Sequence, residues 1–169
     1  TNFSGGAMLA ENQNNLTAVI GGAKYDIGHV FSTGGGGIAS LASVCSPNFK
    51  ARGVTGLGSP INDPFYVDFV AHEIGHQVGG PHTFNGSSGA CAGGNRSGNN
   101  AFEPGSGTTI MAYAGICGGD NLQNNSDAYF HTGSIQDIVE YMIEGFGSSC
   151  ATITTTNNLA PDIRMPNLG

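Results

Sequence analysis

Residues His72–His82 read HEIGHQVGGPH, and this stretch decides how the chain is read. His72 and His76 stand four positions apart, so on a helix both imidazoles leave one face, one turn apart. Two ring nitrogens so placed reach one zinc ion at about 2.0–2.1 Å each. Glu73 adjoins His72 and can reach a water at the metal without ligating it. Gly79 lets the backbone turn sharply out of the helix, with positive φ. The chain then returns within three residues, so His82 can be the third ligand. Three protein ligands leave one position open, which separates catalytic from structural zinc. The plain alternative is an amphipathic helix that happens to carry histidines. With only 5 His in 169 residues, chance placement of His72, Glu73, His76, Gly79 and His82 together is negligible.

Working outward, Asp63-Pro64 predicts the start of this helix, with Asp63 as N-cap and Pro64 at the first helical position. The helix is expected from about Pro64 to Val78. One face carries Phe65, Phe69, His72 and His76, another Val67, Val70, Ile74 and Val78. Upstream, Met8, Leu9, Leu16, Val19 and Ile20 recur at helical spacing, and Gly21-Gly22 ends the run. Strands are predicted at Tyr25–Ser32, Ile38–Val44 and Val54–Leu57, with Gly34–Gly37 expected to hold no regular structure. Downstream, 85–108 reads as a Gly-, Ser- and Asn-rich loop. Ser134 predicts the cap of a last helix, with Asp137 three residues on. Ile135, Ile138, Val139, Met142 and Ile143 form its expected core stripe, and Gly145 its end. Thr152–Asn158 and Ala160-Pro161 read as a polar linker. The expected organisation is a catalytic domain over 1–150 and a tail over 151–169.

Composition narrows the class. The chain has 29 glycines, 10 % charged residues and a net charge of −7. The glycines have no three-residue period, so a collagen-like chain is excluded. Five basic against 12 acidic residues argue against a nucleic-acid partner. No apolar run is long enough for a membrane span. Gly34–Gly37 lacks the Lys-Ser/Thr of a phosphate loop, and no Gly-x-Ser-x-Gly occurs. Cys45, Cys91, Cys117 and Cys150 are even in number with no Cys-x-x-Cys, which predicts two disulfides in an oxidising compartment and leaves three pairings open. Residues 1–20 show no signal peptide, so a secreted chain is expected to be processed or a fragment.

The histidine motif, followed later by Thr109-Ile110-Met111-Ala112-Tyr113, resembles the signature of the metzincin metallopeptidases. The resemblance implies that Met111 forms an apolar base beneath the three histidines. It also implies that Tyr113 ligates the zinc or binds the oxyanion, as in the astacin-like, serralysin-like and pappalysin-like branches. Tyr25–His82, with Cys45 followed by Pro47, is similar to the reprolysins (adamalysins). Glu103–Ala114 (EPGSGTTIMAYA) and Thr83-Phe84-Asn85-Gly86 resemble bacterial reprolysin-like secreted peptidases, the latter also pappalysins. The resemblance covers about residues 8–150.

The implied fold is α/β (α+β): a small twisted mixed sheet with two helices above the cleft, one bearing the zinc ligands. Below lie a loop-rich part with a methionine turn and a C-terminal helix, and the N-terminal part is truncated relative to a full metzincin. The implied disulfides are Cys45 with Cys150 and Cys91 with Cys117. The implied activity is that of a secreted zinc endopeptidase, expected as a monomer, acting on protein or peptide through a water activated by Glu73, with one catalytic Zn2+. Calcium is a further expectation, with Asp26, Asp68, Glu103, Asp120 and Asp127 as candidate carboxylates. Substrate is expected to lie extended along Ile38–Val44, and the residue after the cut to enter a pocket between the zinc helix and Ala114–Cys117, whose small or apolar walls suit an apolar side chain. A pappalysin-like peptidase and a non-catalytic binding module on the same fold are the alternatives.

Overall fold

A computed structural model describes residues 4–156 and 158. Part of the expected linker therefore lies outside the described residues, namely Asn157 and 159–169. The described part is a three-stranded mixed sheet, three helices and long loops. Helix α1 spans Gly5–Leu16 and continues through the wider turns of Thr17–Gly21. It is fastened by amide side chains to the turn that leads into the strand at Gly53–Gly56. Asn12 donates to the Ala51 carbonyl at 2.7 Å, and the Ala51 N–H donates to the Gln13 carbonyl at 2.8 Å. Val19 and Ile20, expected on the apolar face, are exposed.

Strands β1 (Val30–Ser32), β2 (Gly36–Ala39) and β3 (Gly53–Gly56) lie in the order β1-β3-β2. β1 runs parallel and β2 antiparallel to the fully buried β3, with Ile38 opposite Val54. The strands are shorter than their hydrophobic patterns predict. Before β1, the Lys50 ammonium donates to the carbonyls of Gly22 and Tyr25, which wraps that segment around a buried cation instead of extending it. After β2, the N–H of Ala42 donates to the His76 carbonyl and those of Ser43 and Val44 to the Gln77 carbonyl. These donors serve the end of the next helix, and the positive φ of Ala42 and Cys45 breaks the extended run. Ile38–Val44 is thus a strand only to Ala39. Conversely, Gly36 and Gly37, expected outside regular structure, open β2, because ladder bonds need only backbone.

Helix α2 runs unbroken through Asn62–Phe65, Tyr66–Ala71 and His72–Gln77 and packs across β2 and β3. It begins at Asn62 after an extended Ile61, without a side-chain cap, so Asp63 is not the N-cap. Its middle part has π-helical turns, a departure that concentrates at functional sites. It stops at Gly79, whose φ of +108° favours glycine, and a Cβ there would also press on Tyr141.

Helix α3 spans Thr132–Val139 and continues through Glu140–Glu144 to Gly145. Its cap is His131, whose Nδ1 accepts from the Gly133 N–H at 3.0 Å, and not Ser134, which is buried in the first turn. The expected core stripe is split: Ile138 and Met142 are half-buried, while Ile135, Val139 and Ile143 are exposed. The inward contact is made by Tyr141, which donates to the Val44 carbonyl at 2.7 Å. Cys45 is bonded to Cys150 and Cys91 to Cys117. The second bond lies in a buried cluster with Phe84, against which Tyr113 packs. Among the described residues, no helix is long and apolar enough to cross a membrane.

Candidate metal centre

Helix α2 presents His72 and His76 from consecutive turns, and the Gly79 turn brings His82 back to them. The Nε2 atoms of His72 and His82 are 3.2 Å apart, and those of His76 and His82 3.0 Å. These contacts are not ordinary hydrogen bonds. The Nδ1 of His72 faces the Ile110 carbonyl at 2.6 Å, that of His76 the Gly80 carbonyl at 2.8 Å, and that of His82 the Asn95 carbonyl at 2.6 Å. A carbonyl can only accept, so each Nδ1 carries the proton and each Nε2 holds a lone pair. Three lone pairs thus point at one another, an arrangement that a cation turns from repulsion into binding. The donor set, three neutral imidazoles oriented by carbonyls, is one zinc favours. Among the described residues, this is the one group of three or more His, Cys, Asp and Glu residues close enough to hold a metal.

Electrostatics agree with neutral imidazoles. Burial pushes His72 well below its ordinary range, with His76 and His82 adding to the effect. Burial and the nearby His82 lower His76 to about 4. His82 is lowered by burial, against the hydrogen bond to Asn95.

Glu73 is 7 % exposed, and burial raises its carboxyl to about 8; its Oε2 is buried without a hydrogen-bond partner. Tyr113 stands with its ring centroid 4.5 Å from that of His82 and 5.5 Å from that of His72, stacked on Phe84. Burial, and then the charge of Glu73, push its phenol up to about 12, so it stays a donor at neutral pH. Met111 is fully buried beneath α2. Its side chain occupies the space that a side chain at Gly75, between His72 and His76, would fill.

Behind the imidazoles stands a residue expected only as a calcium candidate. Glu103 is 6 % exposed and accepts from the hydroxyls of Thr83 and Thr109 and the N–H groups of Thr108 and Thr109. It therefore ties the segment leaving His82 to the turn whose Ile110 carbonyl orients His72. Burial alone would raise its carboxyl, but the four hydrogen bonds outweigh that and hold it below the ordinary range. The threonine-rich spacing around Met111 was a usable signal, since buried hydroxyls need acceptors.

The other calcium candidates are not gathered into a site. Asp120 accepts from the N–H groups of Ser87 and Ser88, Asp68 from that of Ser126, and Asp127 from the Tyr129 hydroxyl. His29 and His131 also lie apart from the triad. His29 bridges Gln77 and Thr55 at 2.7 Å each, and His131 stacks on Phe102.

A cavity of about 470 Å³ opens beside His72 and Glu73. One wall comes from α2, the other from Ala112–Ile116 and Asn124–Ser126. A family model described as "Metallo-peptidase family M12B Reprolysin-like" matches residues 1–142. No curated protein gives a significant match.

Proposed function

We propose that this chain, which belongs to the reprolysin-like M12B metallopeptidase family, is a secreted zinc endopeptidase that cuts protein or peptide substrates. The observation that carries the reading is the convergence of three Nε2 lone pairs beside a buried, partnerless carboxylate oxygen. His72, His76 and His82 would hold the zinc, with Met111 packed beneath. When bound, zinc acidifies a water and polarises the scissile carbonyl.

Glu73 takes the proton from the attacking water as its oxygen bonds to the carbonyl carbon. As the C–N bond breaks, Glu73 passes that proton to the departing amine. Tyr113 donates its hydroxyl hydrogen bond to the carbonyl oxygen as negative charge builds there. Substrate backbone adds to the free edge of β2, over Gly36–Ala39, through main-chain hydrogen bonds. The two disulfides support an oxidising, extracellular setting. Residues 1–150 form the catalytic unit in this reading, and 151–169 a linker.

The test is Glu73→Gln. The variant is expected to retain zinc and to lose hydrolysis of casein by at least the 10²–10⁴-fold typical of a general base. Full activity in the variant would overturn the assignment.

A further inference from the structure

We propose that Asp68 makes the cavity beside Glu73 a receptor for a basic side chain, so that the peptidase cuts next to lysine or arginine. The inference rests on the peptidase reading above and adds the substrate class.

Asp68 stands in the π-helical part of α2, four residues before His72. Asp68 and Ser126 both line the cavity, from opposite walls. The Ser126 N–H donates to Asp68 Oδ1 at 2.7 Å, which fixes the carboxylate where the two walls meet. The lining also offers apolar surface from Leu57, Phe69, Ala114 and Ile116, beside the amides of Asn95, Asn124 and Asn125. The cavity contains no lysine or arginine, and Asp68 and Glu73 are its two acidic residues.

Glu73 is committed to the reacting bond, which leaves Asp68 as the group that decides what enters. Asp68 lines the cavity with no lysine or arginine beside it, and burial raises its carboxyl against the hydrogen bonds from Ser126. A lysine or arginine side chain fits that profile. Its methylene stem covers the apolar walls while its charged head reaches the carboxylate. Arginine can also take the carboxylate in a forked contact. The net charge of −7 draws cationic peptides toward the molecule. The apolar preference expected from the walls alone leaves this carboxylate out.

The test uses four peptides identical except beside the cut: arginine, its neutral isostere citrulline, leucine, or glutamate. The zinc-loaded protein is expected to show kcat/KM at least tenfold higher for the arginine peptide than for citrulline or leucine, with glutamate poorest. In Asp68→Asn, which keeps an acceptor for Ser126, the arginine-to-citrulline ratio is expected to fall toward one. In Asp68→Lys the glutamate peptide becomes the preferred one. Equal rates for arginine and citrulline in the parent, or an unchanged ratio in Asp68→Asn, overturns the proposal. A binding measurement separates this from failure of the peptidase reading. Glu73→Gln protein, titrated calorimetrically, should bind the arginine peptide at least tenfold more tightly than the citrulline peptide. Cleavage without that preference refutes the Asp68 role alone, whereas the binding preference without any cleavage by the parent refutes the peptidase reading alone.

Discussion

Gly75 lies between the two helical ligands, and adding one methyl group there probes how the metal site is supported. A Cβ on Gly75 would fall less than 3.0 Å from Met111 Sδ, 3.2 Å from Phe130 Cε1 and 3.4 Å from Met111 Cε. Met111 is fully buried and also abuts Gly80, so it has little room to retreat. Alanine in place of a mid-helix glycine is favoured by about 1 kcal/mol, while overpacking a filled core costs about 1–3 kcal/mol. The approach under 3.0 Å puts the overpacking in the upper part of that range, about 2–3 kcal/mol, so Gly75→Ala is expected to destabilise by about 1–2 kcal/mol. In a Met111→Ala background the obstruction is gone, and the same change should stabilise by up to about 1 kcal/mol. The coupling energy is then about 2–3 kcal/mol. Urea unfolding of the four proteins at one fixed zinc concentration measures it, since bound metal adds equally only under that condition. A Gly75→Ala protein as stable as the parent, or an identical effect in both backgrounds, would refute the packing argument.

Three further outcomes follow from the same geometry. Glu103→Gln puts an amide where four donors converge and is expected to cost about 2–4 kcal/mol. It should also flatten the acid limb of stability, because a carboxyl held below its ordinary range stabilises above about pH 4.5 and loses that contribution as pH falls through its folded value; an unaltered pH profile counts against it. Removing Cys91–Cys117 is expected to weaken zinc binding, since that bond anchors the loop whose Asn95 carbonyl orients His82. Removing Cys45–Cys150 should cost more stability, about 5 against 3.5 kcal/mol from loop lengths of 105 and 26 residues, and zinc titrations that rank the two bonds the other way contradict this.

The histidine-bearing helix, its glycine stop and the return of the chain to His82 were legible because spacing alone sets which ring meets which. The order of strands and helices was legible because apolar spacing and glycine stops mark each element. Strand ends were not, because the donors of Ala42, Ser43 and Val44 are claimed by α2 carbonyls from a distant part of the chain. The caps at Asp63 and Ser134 failed because a local cap preference of about 1 kcal/mol yields to tertiary packing. Ile135, Val139 and Ile143 follow a helical stripe, but α3 meets the rest of the chain through Tyr141 instead. Glu103 and Asp68 read in the sequence only as candidate calcium carboxylates. Only the fold shows that one collects four donors and the other lines a cavity beside the histidines.

The central claim is that one zinc ion in the three-histidine site makes this chain a peptidase. The most direct measurement strips the protein with a chelator, then follows peptide hydrolysis as zinc is added back in fractions of an equivalent. The account predicts negligible activity without metal, a linear rise, and a break at one zinc per chain that is abolished in His82→Ala. Hydrolysis that persists in the stripped protein, or zinc binding at one equivalent with no hydrolysis, would contradict it.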